Sequence, residues 1–223
     1  GRMLVERCPK ELLLRWAAFG ALTPLMQAHG RFDQEAWRYD AETLRIYREL
    51  VVLHERLVPY IRGAAATAAR CGLPIVRPLC LTDPADERGW RIADAYGFGP
   101  SLWVAPVVEE GARERRVYLP RGRWIDWWTG EPVVGGHDAI VPAPLDRIPL
   151  WVRSGALLLT YPADAVTRGL GDVDPVERPL EATLWGHPDC GRAKARLADG
   201  AEVRWEAGRW LLPAGRDVVT AER

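Results

Sequence analysis

The side chains that could carry out acid–base or ligand-binding chemistry are few and scattered along the chain. Of the four histidines, His29 follows a short apolar run, residues 23–28, and precedes a long helical pattern. A neutral imidazole offers one donor and one acceptor, which suits a hydroxyl group that both gives and takes a hydrogen bond. We therefore predict that His29 binds a ligand, the alternative being a loop or capping histidine without one.

Acidic residues come in pairs at three places, each in a stretch typical of a loop or turn. The pairs are Asp83 with Asp86, Glu109 with Glu110, and Asp126 with Glu131. Acidic side chains in such stretches commonly form turns or lie in solvent. We predict those structural roles for all six and assign no catalytic residue.

Metal and phosphate motifs are missing from the sequence pattern. The four cysteines, at positions 8, 71, 80 and 190, form no CxxC pair, and no histidine or cysteine cluster has the spacing of metal ligands. Gly97-Phe98-Gly99 lacks the lysine and the following helix of a phosphate-binding loop. We predict free thiols and no metal.

Eleven tryptophans invite a sugar-stacking interpretation, but the hairpin around position 126 argues for packing. In a strand, Trp124 and Trp128 would share one face, while Ile125 and Trp127 would share the other. Large apolar groups on both faces favour burial on both sides, with sugar contact as the alternative.

Composition limits the class of protein. The chain has 223 residues, 48% of them hydrophobic, which is enough for one large domain or two small ones. A formal net charge of zero gives no electrostatic case for binding nucleic acid or an anionic membrane surface. No apolar run is long enough to span a bilayer, and the first ten residues lack an apolar signal core. A cytoplasmic location is the default expectation.

The first hundred residues read as helices with short strands. Residues 9–20 predict a helix with Pro9 in its first turn, Gly20 as its C-terminal cap and an apolar face. That face is formed by Leu12, Leu13, Trp16 and Phe19. The apolar run at residues 23–28 is too short for a helix and is predicted as a buried strand.

The longest predicted helix covers residues 41–70. Its apolar stripe is Leu44, Tyr47, Val51, His54, Leu57 and Ile61, at spacings of three and four. Pro59 should bend or split the helix and Gly72 should end it. A brief strand is predicted within residues 73–79.

After Gly99 the apolar stretches shorten and alternate with turn residues. The predicted strands are residues 102–107, 116–119, 124–128, 139–141, 150–152, 156–160, 181–185, 193–197, 202–206 and 210–212. Many short strands between turn signals are typical of an all-β sandwich.

Four segments, in this order, resemble the retaining α-glycosidases of glycoside hydrolase family 31. They are the turn Gly97-Phe98-Gly99, the VAPV run at 104–107, the hairpin from VYLP to WTG at 117–130, and APLDRIPLWVRSGA at 143–156. The resemblance covers most of the chain, and the order of the four segments is far more specific than any one of them.

The resemblance implies an α+β chain with two parts. Residues 1–100 would be the C-terminal remnant of a (β/α)8 TIM barrel, and residues 101–223 an all-β sandwich, with the start of a second sandwich as an alternative for the last residues. His29 would end a barrel strand and hydrogen-bond a hydroxyl of the bound sugar. In the family, an arginine occupies the position of Gln27 and a proline occupies that of Ala36. Trp37, which follows Ala36, would lie near the pocket.

In that family the catalytic carboxylates lie upstream of every matching segment. The resemblance therefore implies that this chain holds neither the nucleophile nor the acid/base, and it implies no metal or organic cofactor. We expect the C-terminal part of a retaining α-glycosidase for α-glucosides or α-xylosides, inactive alone. Its partners would be an α-linked oligosaccharide or glycoside and the missing N-terminal catalytic portion.

Two alternatives stay open. Within the family, the reaction could be transglycosylation or a lyase reaction. From another class, the chain could be a non-catalytic β-sandwich module that binds carbohydrate or scaffolds a partner. The glycosidase hypothesis predicts an exposed apolar face on the long helix, whereas a self-sufficient module should cover its apolar surface.

Overall fold

A computed structural model describes residues 8–28, 34–167 and 178–223 of the chain. The helices are α1 (Lys10–Ala21), α2 (Ala41–Arg56), α3 (Val58–Cys71), α4 (Leu79–Thr82) and α5 (Ala163–Thr167), with short 3-10 helices at Ala36–Arg38 and Glu87–Trp90. The strands are β1 (Val76–Arg77), β2 (Tyr96–Phe98), β3 (Leu102–Val104), β4 (Glu114–Leu119), β5 (Arg123–Asp126), β6 (Pro132–Val134), β7 (His137–Pro142), β8 (Leu150–Arg153), β9 (Ala156–Thr160), β10 (Leu180–Trp185), β11 (Arg192–Arg196), β12 (Glu202–Glu206), β13 (Arg209–Leu211) and β14 (Val218–Glu222). Helices first and strands afterwards confirm the predicted α+β class.

The strands form one large sheet and three small ones. The large sheet has six strands in the order β1-β2-β3-β8-β5-β6, and every neighbouring pair in it is antiparallel. The small sheets have the orders β14-β10-β9, β11-β12-β13 and β4-β7. In the described part of the chain, β10 with β14 is the one parallel pair.

Strands β2, β3 and β8 of the six-stranded sheet are buried on both faces. Strands β3 and β8 both read Leu-Trp-Val and pair so that Trp103 lies opposite Trp151. Because side chains alternate along a strand, the leucines and valines point to one face and both tryptophans to the other. The first face packs with α1, α2 and α3 in one core. The tryptophan face packs with β4 in a second core.

The long helical segment splits as predicted. Helix α2 begins after Asp40, whose carboxylate accepts a hydrogen bond of 2.7 Å from the amide of Thr43. It ends at Arg56, and α3 follows with Pro59 in its first turn and Gly72 as a left-handed cap at φ 75°. The buried stripe of α2 is Thr43, Ile46, Leu50 and Leu53, one position away from the predicted stripe. Both stripes have helical spacing, so only the tertiary contacts decide which one faces the core.

Helix α1 exposes much of the face that periodicity would bury. Leu12, Trp16 and Phe19 are 40%, 52% and 41% exposed, while Leu14 and Ala18 are buried. Gly20 lies inside the helix, and Leu22 is the C-terminal cap. The predicted helix is confirmed to within one residue at each end, but its predicted cap and core face are wrong. The exposed apolar face therefore belongs to α1 and not to the long helix.

Two predicted strands before residue 80 also need correction. Residues 23–28 form no strand, and Leu25 is 76% exposed, because no strand of the described chain runs beside them. Within residues 73–79 only Val76–Arg77 is a strand, paired with β2. Pro74 and Pro78 lie on either side of this strand and have no backbone N–H to donate, which limits the length of the strand.

The ten strands predicted after Gly99 are all present, with bounds shifted by at most three residues. The pattern missed β2, β6 and β14. Strand β6 begins with Pro132 at the edge of its sheet, where a missing N–H is tolerated. Within the described residues, no helix has both the length and the apolar character needed to cross a bilayer.

Candidate functional site

His29 lies outside the described residues, but the segments on either side of it are described. They form a groove of about 320 Å³ against the outward face of α1. Side chains that line this aromatic groove include Trp16, Phe19, Met26, Gln27, Gln34 and Trp37. The binding of a ligand by His29 therefore stays a prediction, and the groove is lined by residues that precede and follow His29 in the sequence.

The aromatic groove combines indole surface with amide groups. Trp37 is 68% exposed and Trp16 is 52% exposed, so both ring systems are accessible to a ligand. Gln27 and Gln34 each carry a side-chain amide with donor and acceptor groups. Apolar ring faces together with amides suit a ligand that has apolar C–H faces and many hydroxyl groups, such as a sugar.

A buried arginine fixes α1, which forms the floor of the groove. The Arg15 guanidinium donates to the carbonyl oxygens of Ala112 and Ala143 at 2.8 Å each, and to that of Pro144 at 2.9 Å. Burial lowers the pKa of Arg15, while Glu11, with an N–O distance of 3.7 Å, opposes that effect. Arg15 thus ties α1 to the loop before β8.

The far side of the groove is tied to the start of α1. The Tyr39 hydroxyl donates to the backbone carbonyl of Cys8 at 2.6 Å. The Lys10 ammonium donates to Asp40 at 2.8 Å, and this contact together with the amide of Thr43 holds the pKa of the Asp40 carboxyl well below its usual range. The groove is therefore framed by contacts between α1 and the start of α2.

The described lining of the groove lacks the pair of carboxyl groups that retaining glycoside hydrolysis uses. Among its described lining residues, Glu35 is the single carboxyl group, 3.9 Å from the Arg38 guanidinium. Retaining glycoside hydrolysis needs two carboxyl groups about 5–5.5 Å apart. Among the residues that the structure describes, no group of three or more His, Cys, Asp or Glu side chains could hold a metal ion.

Asp126 and Asp86 have structural roles. Asp126 accepts hydrogen bonds from the amides of Trp128 and Thr129 at 2.8 and 2.9 Å, which closes the turn before Gly130. Asp86 caps the 3-10 helix at Glu87–Trp90 and accepts a hydrogen bond of 2.5 Å from the Tyr118 hydroxyl. Asp86 is 2% exposed, so the turn-forming role was predicted but its burial was not. Glu109, Glu110 and Glu131 are exposed.

The tryptophans of the hairpin pack inside the protein. Trp124 is buried in the second core, and its indole N–H donates to the carbonyl of Pro120 at 2.8 Å. Trp127 stacks on Trp185 with ring centroids 5.2 Å apart. The Trp128 indole donates to the Ile148 carbonyl at 2.8 Å. Packing, not an open stacking surface, accounts for this cluster.

A tyrosine explains the glycine turn before β3. The Tyr60 hydroxyl donates to the Phe98 carbonyl at 2.7 Å and accepts from the Ser101 amide at 3.0 Å. Gly99 has φ 61°, and a Cβ atom there would lie 2.4 Å from the Tyr60 oxygen. The turn therefore needs glycine for both its backbone angle and its close contact with α3.

The described fold is thus a group of helices packed on an antiparallel sheet, with an aromatic groove on the outward face of α1. Two family models match the chain in adjacent segments. The glycosyl hydrolases family 31 TIM-barrel domain matches residues 5–64, and the glycosyl hydrolase family 31 C-terminal domain matches residues 72–158. The chain belongs to glycosyl hydrolase family 31, as its four ordered segments predicted.

Characterised relatives are similar over part of their length. The sulfoquinovosidase of Escherichia coli (strain K12) is 38% identical over 148 residues, which are 65% of this chain and 22% of that protein. The alpha-xylosidase of Saccharolobus solfataricus is 36% identical over 150 residues, or 66% of this chain and 20% of that protein. The 1,6-alpha-glucosyltransferase of Sporosarcina globispora is 30% identical over 211 residues, or 90% of this chain and 16% of that protein. The chain thus spans about a fifth of the length of these relatives.

Solved structures of the family share the fold over nearly the whole chain. A Flavobacterium johnsoniae GH31 dextranase complexed with glucose matches with a TM-score of 0.80 at 27% identity, covering 95% of this chain and 29% of the dextranase. The GH31 alpha-xylosidase from Xanthomonas citri matches with a TM-score of 0.78 at 27% identity, covering 96% of this chain and 26% of the xylosidase.

Proposed function

We propose that the chain is the C-terminal part of a retaining α-glycosidase that hydrolyses α-glucosides or α-xylosides. The observation that carries the proposal is an aromatic groove lined by residues that precede and follow His29 in the sequence, in a chain that belongs to family 31. Retention requires a carboxylate nucleophile and a second carboxyl group that donates and then accepts a proton. We assign both groups to a catalytic portion outside these 223 residues, so the chain is inactive alone.

In this proposal the chain supplies one wall of the sugar pocket. His29 exchanges hydrogen bonds with a hydroxyl group of the sugar, which a neutral imidazole can do as donor and acceptor. Trp37 and Trp16 cover the apolar face of the sugar ring, and both are exposed enough to do so. The names of the similar alpha-xylosidase and dextranase support an α-linked glycoside as the ligand.

The exposed face of α1 supports a contact with the catalytic portion. Leu12, Trp16 and Phe19 are each at least 40% exposed on one helix, and because Trp16 and Phe19 also line the groove, the catalytic portion would complete the pocket at this face. We propose that residues 1–100 are the barrel remnant and residues 101–223 the sandwich. The change from helices to strands near β2 supports this division, and the core shared by α1–α3 and the six-stranded sheet would hold the two parts together.

Glycosyl transfer to a second sugar is the other candidate reaction, favoured by the similarity to a 1,6-alpha-glucosyltransferase over 90% of the chain. Both reactions pass through a covalent glycosyl-enzyme intermediate. They differ in whether water or a sugar hydroxyl takes up the glycosyl group. The pocket wall proposed for this chain serves either reaction. A self-sufficient sandwich module is less well supported, because such a module should cover the apolar face of α1.

Sugar binding to the chain tests the pocket-wall role. Methyl α-glucoside and methyl α-xyloside are titrated into the chain while acrylamide quenching of tryptophan fluorescence is followed. We expect saturable protection from quenching that is lost in His29→Ala and in Trp37→Ala. Trp90→Ala is the matched control, since Trp90 is 69% exposed outside the groove and its loss should leave the protection intact. Binding unchanged in His29→Ala and Trp37→Ala would contradict the proposal.

A further inference from the structure

A second cleft lies where α3 meets β9 and β11. It has a volume of about 500 Å³, within the size range of small-molecule sites. At one end the walls touch, because a Cβ atom at Gly63 of α3 would lie 2.4 Å from the Arg196 carbonyl of β11. The cleft is therefore bounded by elements held in direct contact.

Positive charge dominates the lining of this α3–β11 cleft. Four cationic side chains face it, those of Arg70, Arg77, Lys194 and Arg196, against the single carboxylate of Glu202. Glu202 accepts a hydrogen bond of 3.0 Å from Arg196, which holds the pKa of the Glu202 carboxyl below its usual value. Lys194 also lies 3.9 Å from this carboxylate, so four cations share one negative charge and the cleft keeps an excess of three positive charges.

Arg77 is the cation that most needs a ligand. It is 7% exposed, and its one hydrogen bond within the described chain runs from Nε to the Pro74 carbonyl at 2.7 Å. The described residues provide no carboxylate partner for its guanidinium. A buried charge is costly unless it is paired, and a planar guanidinium pairs best with a carboxylate or a phosphate. The geometry thus leaves the fork of Arg77 available on the cleft side.

The remaining lining suits an organic group attached to the anion. Pro59, Tyr60, Leu157 and Leu159 give the cleft an apolar side, and Ser101 adds a hydroxyl group. An excess of three positive charges matches a dianion better than a monoanion, and a phosphate monoester carries about −1.5 to −2 near neutral pH. We propose that the α3–β11 cleft binds a small phosphate monoester, with the phosphate on Arg77 and its organic group against the apolar side.

Isothermal titration calorimetry of the chain tests this assignment. The probes are phenyl phosphate, α-D-glucose 1-phosphate, inorganic phosphate and uncharged glucose, all at one ionic strength set with sodium chloride. We expect the two esters to bind saturably and more tightly than inorganic phosphate, and any heat from glucose to be the same when Arg70 and Lys194 are both replaced by alanine. Affinity should fall as sodium chloride is raised, because screening weakens charge pairing.

Variants separate the cleft from general surface charge. Removing two exposed cations of the rim, Arg70→Ala with Lys194→Ala, should weaken ester binding about tenfold. Arg48→Ala with Arg91→Ala removes two exposed cations elsewhere and should change nothing. Arg77→Lys keeps the charge but loses the planar fork and the Nε donor to Pro74, so it should still unfold in a cooperative thermal transition, at a lower melting temperature, and lose ester binding. The proposal is overturned by ester binding equal to that of inorganic phosphate, by no saturable binding, or by wild-type affinity in the rim double variant.

Discussion

At the scale of single residues, a substitution at Gly99 tests how much a steric clash adds to the energetic cost of a strained backbone angle. We expect Gly99→Ala to lower the free energy of unfolding by about 2–3 kcal/mol, because the new Cβ atom adds a clash with the Tyr60 hydroxyl to the cost of a positive φ. Gly111→Ala is the matched control, since φ is 77° there and nothing lies within 4 Å of the new atom. That variant should lose only about 1 kcal/mol in urea unfolding. Equal losses would show that the contact with Tyr60 carries no energy.

Buried tyrosines predict a loss of stability at alkaline pH. Burial raises the pKa of Tyr60 and Tyr96, and burial with the hydrogen bond to Asp86 raises the pKa of Tyr118 to about 12. An unfolded tyrosine loses its proton near pH 10, so the folded chain holds these protons more tightly. The resulting stabilisation is complete below pH 10, and the part due to Tyr118 is lost as pH rises from 10 through about 12.

Urea unfolding between pH 8 and 11.5 measures this effect. We expect tyrosine ionisation to leave the free energy of unfolding unchanged up to about pH 10 and to lower it above that pH. Tyr118→Phe removes one of the three groups and should make the decline shallower. A decline of the same slope in Tyr118→Phe would show that Tyr118 does not contribute.

Sequence reasoning at this scale identified roles that depend on near neighbours. The turn at Asp126 follows from the tryptophans, threonine and glycine just after it, and its hydrogen bonds span two and three residues. The burial of Asp86 depends on Tyr118, which lies 32 residues away. No local pattern predicts such a partner. His29 was found through its flanking run and the family resemblance, and its contacts remain a prediction.

At the scale of elements, Arg15 joins α1 to the loop before β8. We expect Arg15→Met to lower the free energy of unfolding by about 3 kcal/mol, because three carbonyl groups lose a buried charged donor. Arg15→Lys should recover only part of this, since an ammonium group cannot reproduce the guanidinium fork. Thermal and urea unfolding measure both variants.

An exposed arginine provides the control for Arg15. Arg45 pairs with Glu49 one turn along α2, with an N–O distance of 2.9 Å, and both side chains are about half exposed. Arg45→Ala should cost less than about 0.5 kcal/mol, as surface pairs of this kind do. Similar losses in Arg15→Met and Arg45→Ala would refute the anchoring role.

Helix and strand limits were predictable because their signals are local. The predicted helix start at residue 41, the break near Pro59 and the end at Gly72 match the limits of α2 and α3. The face that α1 buries was not predictable, because Arg15 and Ala18 face the loop and the core while Leu12 and Trp16 face outward. The strand order β3-β8-β5 could not be predicted either, because it pairs strands that are far apart in the sequence.

At the scale of the whole molecule, the outward face of α1 should behave as exposed apolar surface. We expect the chain to bind the dye ANS, and Leu12→Ser with Trp16→Ser to reduce the fluorescence of the bound dye. Val134→Ser with Ile140→Ser is the matched control, because these side chains are 67% and 65% exposed on separate strands away from α1. The control should leave dye binding unchanged. Equal reductions would remove the argument for a contact surface on α1.

Turnover by the chain alone is the most direct test of the central claim, which is that the bond-breaking carboxylates lie outside these 223 residues. The purified chain, shown to be folded by circular dichroism and a cooperative thermal transition, is assayed with an aryl α-glucoside and an aryl α-xyloside. We predict no release of the phenol above the uncatalysed rate. Turnover well above that rate, abolished by His29→Ala in a folded variant, would contradict the account.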